Sequence, residues 1–189
     1  MHDKGKWMEV WHKEGYAERK DSHFQKVDEY LGFAPKRILD IGCGRAWESE
    51  RFQNKYGSEL YLLDGDFNDN PTGKVRDSKW NDDAKTFAYY NEIDTLRNDW
   101  DSRGLEYQWV NANDPGIDPS TKFDLIYSFL SCGFHYPVST YRDLILAHST
   151  PDTKIIMDLR GKKIPYAEDY RIVDVIYSGP KHKTCEIKL

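Results

Sequence analysis

Five short apolar runs, separated by longer polar stretches, constrain the fold of this 189-residue chain more than any other feature. Runs of this length are typical of strands that are buried on both faces of a sheet. Helical spacing of apolar residues between several of the runs predicts crossover helices, which make neighbouring strands parallel. The sequence therefore predicts an α/β fold built on a doubly wound, mostly parallel sheet. The predicted strands are 37–41, 60–63, 105–110, 123–130 and 154–159, and the predicted helices between them are 48–56, 82–103 and 141–148.

The two ends of the chain extend this pattern. Aromatic and aliphatic residues recur at helical spacing before Gly32, which predicts one or two amphipathic helices, the second capped by Asp21 or Ser22. Two more strands, 171–177 and 184–189, flank a turn and predict a C-terminal antiparallel hairpin. We expect one domain of seven strands with helices on both faces of the sheet. Its predicted parts are a helical cap over residues 1–34 and a core over residues 35–189.

Composition disfavours several classes of protein. The mean hydropathy is −0.81, yet 6 Trp, 13 Tyr and 8 Phe supply large rings that disordered chains lack. No apolar run approaches the ~20 residues that cross a bilayer, so we expect a cytoplasmic protein without a membrane partner. A formal charge of −5 disfavours nucleic acid as a partner. The isolated Cys43, Cys132 and Cys185 predict reduced thiols and no metal site.

Polar and small residues follow the first two strands at their carboxyl ends, where doubly wound sheets bind ligands. Gly42 and Gly44 come after the first strand and allow the backbone to approach a ligand closely. Asp64 ends the second strand, where a carboxylate can accept hydrogen bonds from both hydroxyls of a ribose. Asp66 competes for that role, but Asp64 is preferred because it directly ends the apolar run. Together these residues predict a cofactor that contains a nucleoside.

Two residues distinguish between nucleoside cofactors. A dinucleotide-binding loop requires a third glycine where this chain has Trp47, at a point where helix and strand pack closely. Asp40 would repel a pyrophosphate, whereas it can interact with the amino group of a methionine moiety, directly or through water. The sequence therefore favours a cationic nucleoside over NAD.

These motifs resemble those of the class I S-adenosylmethionine-dependent methyltransferases. The resemblance covers about residues 36–189 and rests on Ile38-Leu39-Asp40-Ile41-Gly42-Cys43-Gly44, Asp64 and Phe123-Asp124-Leu125-Ile126-Tyr127-Ser128. It implies a Rossmann-like core with S-adenosyl-L-methionine as cofactor. In the family, the glycine loop surrounds the methionine end, the acid after strand two holds the ribose, and a polar residue after strand three recognises adenine. The implied cofactor-binding residues are Asp40, Gly42, Cys43, Gly44, Asp64, Ser128 and, with the choice between them open, Asn111 and Asn113.

Residues 131–137 follow the fourth strand, where the family places its substrate chemistry. His135 is the candidate general base, because imidazole can accept a proton at neutral pH, and a structural role in its turn is the alternative. Tyr136 and Arg160 are the candidate substrate-binding residues. Methyl transfer needs mainly alignment of the two reactants, so a base is not required. The other histidines, which we expect at the surface, are His2, His12, His23, His148 and His182.

The resemblance predicts a methyltransferase that acts on an oxygen or nitrogen atom of a small or medium-sized acceptor. Nothing after the fourth strand matches the Asn-Pro-Pro-Tyr type of signature found in amino-methylating nucleic-acid enzymes. The N-terminal helices, the loop 67–81 and the segment 131–137 are expected to enclose the acceptor. A non-catalytic cofactor-binding module, a nucleic-acid methyltransferase and, with less support, an NAD-dependent oxidoreductase remain alternatives. The sequence carries no signal for an oligomeric state.

Overall fold

The computed structural model describes residues 13–69, 89, 91–160 and 170–189, and in them the predicted α/β architecture is confirmed. The α-helices are α1 (Tyr16–Leu31), α2 (Trp47–Tyr56), α3 (Ile93–Ser102) and α4 (Arg142–Ala147). The strands are β1 (Arg37–Ile41), β2 (Glu59–Asp64), β3 (Tyr107–Asn111), β4 (Leu125–Ser128), β5 (Lys154–Arg160), β6 (Arg171–Ser178) and β7 (His182–Lys188). Single turns of 3-10 helix lie at Phe67–Asp69 and Val138–Tyr141. None of the described helices has the length and apolar character needed to span a membrane.

The seven strands form one sheet in the order β3-β2-β1-β4-β5-β7-β6. Strands β1 to β5 pair in parallel, while β7 runs antiparallel to both β5 and β6, as the predicted hairpin requires. The chain extends the sheet from β1 first toward β2 and β3, and then on the other side toward β4 and β5. This reversal opens a crevice at the carboxyl ends of β1 and β4, where ligands of such sheets bind.

Side chains alternate between the two faces of the sheet, and helices cover both faces as predicted. Buried residues of α1, α2 and α3, including Val27, Phe52 and Trp100, pack against one face together with Ile38 of β1. The opposite face is covered around the short helix α4, whose Ile145 is fully buried. Because Asp40 lies two residues after Ile38, its side chain points toward the face that carries three helices.

Helix α1 begins earlier than the sequence predicts. Its first residue is Tyr16, so the expected cap at Asp21 or Ser22 is wrong. The Asp21 carboxylate instead accepts a hydrogen bond from the indole Nε1 of Trp47 at 3.0 Å, which links α1 to α2. The end of the helix is confirmed, because Gly32 adopts a left-handed φ of 65° at the C-cap.

Helix α3 begins later than predicted. The expectation was a helix over 82–103, of which residues 82–88 and 90 lie outside the described chain. Tyr89 is not helical, and Glu92 is extended (φ −72°, ψ 127°), so the prediction is wrong between 89 and 92. The cause is tertiary: the carbonyl of Asn91 accepts a hydrogen bond from the backbone of Phe67 at 2.8 Å. Residues 1–12 and 70–81, in which part of the predicted acceptor enclosure falls, also lie outside the described residues.

Candidate functional site

The loop after β1 turns sharply and leads directly into α2. The backbone amides of Gly42 and Cys43 both donate to the carbonyl of Leu63, at 2.7 and 3.1 Å. Gly42 (φ 71°) and Gly44 (φ 50°) adopt left-handed conformations that side chains disfavour. Ala46 adopts φ 51° as well, fully buried at the N-cap of α2. The conformation of this loop therefore explains why small residues recur in it.

Asp64 lies beside this loop at the end of β2 and is partly exposed. Its Oδ2 accepts a hydrogen bond from the amide of Gly44 at 2.8 Å, and its Oδ1 accepts one from the amide of Gly65 at 2.8 Å. The Sγ of Cys43 lies 4.0 Å from Oδ2. Loss of solvent raises the pKa of Asp64 to about 6, although the two amide hydrogen bonds lower it. No lysine or arginine in the described ranges forms an ion pair with this carboxylate.

Asp40 lies in β1, two residues before the glycine loop begins at Gly42, and is only 4% exposed. Its Oδ2 accepts hydrogen bonds from Ser49 Oγ at 2.8 Å and from the Tyr127 hydroxyl at 3.0 Å. Burial raises the pKa of Asp40 to about 7, against the lowering effect of the Ser49 hydrogen bond. A second carboxylate thus lies in the strand that leads into the loop. Its contact with the amino group of a methionine moiety stays a prediction.

The two candidate asparagines lie next to Asp64 at the carboxyl end of β3. Asn111 pairs with Asp64 in the sheet register, and its Oδ1 accepts a hydrogen bond from the amide of Asn113 at 2.9 Å. Asn113 donates from Nδ2 to Asp69 at 2.9 Å and accepts from the Tyr89 hydroxyl at 2.7 Å. Both amides are therefore near the predicted ribose site, and the choice between them remains open.

Two other polar residues stabilise their own turns. The Asp66 carboxylate accepts hydrogen bonds from the amide and side chain of Asn68 at 2.8 and 2.9 Å, which is consistent with preferring Asp64 for the ribose. Ser128 is fully buried, donates to the Ile41 carbonyl at 2.6 Å and accepts from the Cys132 amide at 2.8 Å. These bonds join the ends of β1 and β4. A direct contact between Ser128 and a cofactor stays a prediction.

Residues of the 131–137 segment pack directly against the glycine loop. A Cβ atom placed on Gly42 would lie 1.8 Å from Ser131 Oγ and 3.2 Å from the Tyr136 hydroxyl. These two hydroxyl groups are 2.8 Å apart and share a hydrogen bond. The structure therefore places Tyr136 at the loop, together with Ser131, which sequence reasoning named only as part of its segment. Their proximity gives Gly42 a steric role in addition to its left-handed backbone.

His135 and Arg160 meet beside the same segment. The amide of His135 donates to the Ser131 carbonyl at 2.7 Å, and its ring lies edge-on to that of Phe134 with centroids 4.9 Å apart. Burial, with a contribution from the charge of Arg160, lowers the pKa of His135 to about 4. The imidazole is therefore neutral at pH 7, able to accept a proton but weakly basic. Arg160 lies over the Phe134 ring at 5.1 Å.

The other histidines were expected at the surface, and for His23 and His148 this prediction is wrong. His148 is 4% exposed, and its Nδ1 bonds the carbonyl of Thr121 at 2.9 Å. The side chain of His23 is 12% exposed and lies between α1 and the sheet. His182 is also partly buried, whereas His2 and His12 lie outside the described residues. Helical spacing from His23 to the buried Val27 was the sequence signal for its burial.

His23 belongs to a buried group of charges. Its Nδ1 lies 3.2 Å from Glu48 Oε1, and its Nε2 lies 3.6 Å from Asp158 Oδ1. Burial lowers the pKa of His23, but the hydrogen bonds and charges of these two carboxylates outweigh that effect and raise it to about 9. Burial would raise the pKa of Glu48, but Lys20, 2.6 Å away, and His23 lower it to about 2.

Comparison with protein-family models and with curated proteins finds no match to the sequence. Among solved structures, the PH0226 protein from Pyrococcus horikoshii OT3 superposes with a TM-score of 0.60 at 14% identity, over 93% of this chain and 92% of that one. The T. thermophilus 16S rRNA N2 G1207 methyltransferase RsmC, in complex with AdoMet and guanosine, superposes with a TM-score of 0.56 at 11% identity, over 90% and 43%. The plantazolicin methyltransferase BpumL, in complex with SAH, superposes with a TM-score of 0.53 at 13% identity, over 82% and 51%.

The protein has the fold of the class I S-adenosylmethionine-dependent methyltransferases. The resemblance carried by the sequence motifs is confirmed at this level. At these identities the similarity concerns the fold and not the substrate. The chain spans about half the length of BpumL.

Proposed function

We propose that this protein binds S-adenosyl-L-methionine at the carboxyl ends of β1 and β2 and transfers its methyl group to an oxygen or nitrogen atom of a small or medium-sized acceptor. The observation that carries this proposal is the Asp64 carboxylate, which is partly exposed at the end of β2, accepts a hydrogen bond from the amide of Gly44 and has no cationic partner among the described residues. Ribose hydroxyls can donate hydrogen bonds to such a carboxylate. RsmC and BpumL, which share the fold, hold AdoMet and SAH in their structures.

The charges around the loop suit a cationic ligand. Asp64 lies beside the glycine loop and, with a pKa of about 6, is mostly ionised at pH 7, whereas Asp40, with a pKa of about 7, is ionised only in part. In a poorly solvated site such charges act more strongly than in water. The bound cofactor would supply an electrophilic methyl group on a positively charged sulfur. The amide of Asn111 or Asn113 would recognise adenine.

The acceptor would enter beside the 131–137 segment. His135 is neutral at pH 7 and can take a proton from a hydroxyl or amine, although its lowered pKa makes it a weak base. Tyr136 lies at the glycine loop, and Arg160 can pair with an anionic group of the acceptor. In this proposal the residues mainly align the acceptor and exclude water, which is what an in-line displacement requires.

Isothermal titration with S-adenosyl-L-methionine, S-adenosyl-L-homocysteine and NAD in parallel tests the cofactor. We expect both sulfur nucleosides to bind and NAD not to bind. Asp64→Ala should weaken binding of the methionine nucleoside by more than ~1 kcal/mol, because charge-assisted hydrogen bonds are lost.

The matched control for that variant is Asp66→Ala, which removes a carboxylate two residues away that bonds only its own turn in the described structure. Its affinity should equal that of the wild-type protein. If neither S-adenosyl-L-methionine nor S-adenosyl-L-homocysteine gives a binding signal with the wild-type protein, the proposal is overturned. A confirmed cofactor would turn the remaining question into a screen of acceptors by S-adenosyl-L-homocysteine release.

A further inference from the structure

Leu130 has an unusual backbone conformation at the rim of the proposed site. It is the second residue after β4, its φ is 56°, and the residue is 40% exposed. Among the described residues other than glycine, only Leu130 and Ala46 have a positive φ. A branched side chain is strained in this conformation, which persists only where surrounding contacts hold it. The next residue, Ser131, is the one that packs on Gly42.

A buried carboxylate holds this turn. The amide of Leu130 donates to Asp158 Oδ2 at 3.0 Å. Asp158 is 1% exposed, and its Oδ1 accepts a hydrogen bond from the hydroxyl of Thr184 at 2.6 Å. Since a buried carboxylate is costly without a positive partner, the position of Asp158 depends on a nearby cation.

His23 of α1 supplies that cation. The Thr184 proton is donated to Asp158, so the Thr184 oxygen accepts from His23 Nε2 at 3.0 Å. His23 Nδ1 faces the Glu48 carboxylate at 3.2 Å, and a carboxylate of low pKa can only accept. Both ring nitrogens therefore donate, which is the pattern of a charged imidazolium. The ring also packs edge-on against Phe129, the residue before Leu130, with centroids 4.3 Å apart.

We propose that His23 is a positioning residue for methyl transfer: it holds the left-handed turn at Leu130 through Asp158 and Phe129, without touching the acceptor. This inference rests on the proposed function, because the turn lies at the end of β4 beside the glycine loop. It assigns the cap helix α1 a specific task at the acceptor rim.

The other charged groups around the His23 ring do not replace it. Lys20 forms its ion pair with Glu48, at 2.6 Å, and although its charge also acts on Asp158, no hydrogen bond or ion pair between described residues joins the two. His182 lies 3.7 Å from Asp158 Oδ2, but burial lowers its pKa, and it is neutral at pH 7. The titratable and polar groups that surround the ring are Lys20 of α1, Glu48 of α2, Asp158 of β5, Tyr177 of β6, and His182 and Thr184 of β7.

Amide hydrogen exchange at Leu130 tests the proposal without a known acceptor. His23→Gln should accelerate exchange of this amide by about tenfold or more, since the imidazolium that holds Asp158 is lost. The matched control is His148→Gln, because His148 is also buried and packs against an aromatic ring, that of Phe123, at 5.9 Å, but on the opposite face of the sheet. The control should leave exchange at Leu130 unchanged.

The pH dependence of the same amide provides a second measurement. After correction for intrinsic exchange, protection of Leu130 should persist at neutral pH and fall as the pH rises through about 9, where His23 loses its proton. Asp158→Asn keeps an oxygen for the Leu130 amide but removes the charge that needs His23. This variant should show no such step, and it keeps the test valid should His23→Gln fail to fold.

The rate of methyl transfer tests whether the turn at Leu130 matters for catalysis. With S-adenosyl-L-methionine and a protein-free metabolite extract as the acceptor source, His23→Gln should form S-adenosyl-L-homocysteine about 10-fold to 100-fold more slowly, as expected for misalignment. Its affinity for S-adenosyl-L-methionine should stay within about twofold of wild type, since the hydrogen bonds, ion pairs and ring contacts of His23 in the described structure involve none of the proposed cofactor-binding residues.

Three results would overturn the positioning role: unchanged Leu130 exchange in His23→Gln, equal acceleration in His148→Gln, or wild-type turnover despite altered exchange. A wild-type protein that binds no S-adenosyl-L-methionine would overturn the proposed function instead. In that case the exchange data would still decide whether His23 holds the turn.

Discussion

Two sets of buried or partly buried carboxylates in this protein differ in whether a positively charged side chain contacts them. Glu48 and Asp158, between the helices and β5, both contact His23, and Glu48 also contacts Lys20. At the glycine loop, Asp40 and Asp64 have no ion pair with any described residue and accept hydrogen bonds only from neutral groups.

The pKa values follow this difference. The cations lower the pKa of Glu48 to about 2 in spite of its burial, whereas burial raises the pKa of Asp40 to about 7 and that of Asp64 to about 6. An uncompensated carboxylate destabilises the free protein, and a perturbed pKa of this kind is typical of functional sites. In the function proposed above, the paired carboxylates belong to the fold, and the unpaired ones bind a cationic ligand that is rich in hydrogen-bond donors.

The largest expected effect comes from breaking the paired set. Glu48→Ala leaves Lys20 and His23 without the carboxylate they share and should lower the free energy of unfolding by about 3 kcal/mol. Glu59→Ala, which removes an exposed ion pair with Arg37, should cost less than about 1 kcal/mol. Urea denaturation at pH 7 measures both. Equal losses would show that the buried group is no more important than a surface pair.

Removing a charge from the unpaired set should stabilise the protein, whereas removing one from the paired set should destabilise it. The pKa of Asp40 is raised on folding, so its stabilising contribution is complete at low pH and disappears as the pH rises through about 7. Asp40→Asn cannot ionise, and relative to wild type it should gain about 2 kcal/mol of stability or more between pH 4 and pH 8. Denaturation curves of both proteins across this range make the measurement, and a difference that is constant with pH would contradict it.

At higher pH, loss of the His23 charge should have a smaller effect in the same direction: the variant gains stability relative to wild type as the pH rises. The pKa of His23 is raised from 6.5 to about 9, so its contribution is complete below 6.5 and is lost as the pH rises through about 9. The stability advantage of wild type over His23→Gln should therefore shrink by about 1 kcal/mol or more across that interval. Thermal denaturation in buffers from pH 6 to pH 10 would reveal it, and an advantage that stays constant over this range would contradict it.

Local patterns predicted much of the fold and of the loop. The strand Arg37–Ile41 matches its prediction in both bounds, because an apolar run followed by two glycines allows little else. The parallel direction of the first five strands follows from the alternation of strands and helices, and the C-terminal hairpin follows from two strands that flank a turn. Asp64 could be placed beside the glycine loop because adjacent parallel strands end at the same edge of the sheet.

Contacts between distant residues could not be predicted in this way. His23 lies 161 positions from Thr184, and no local pattern relates the two. Ser131 was not expected on Gly42, nor was the Asp21 side chain expected to bond Trp47 instead of capping a helix. Each depends on how a helix or loop packs across the sheet.

The sequence alone determined which strands form, where the chain turns and which carboxylates stand at the strand ends, since these depend on apolar periodicity and on glycine conformations a few residues apart. Tertiary structure alone decided which carboxylates meet a cation. Lys20 and His23 reach Glu48 and Asp158 only because α1 packs over α2 and β5, whereas no described basic side chain reaches Asp40 or Asp64. Burial and pairing are properties of the folded chain, and they separate the carboxylates that stabilise it from those proposed to bind.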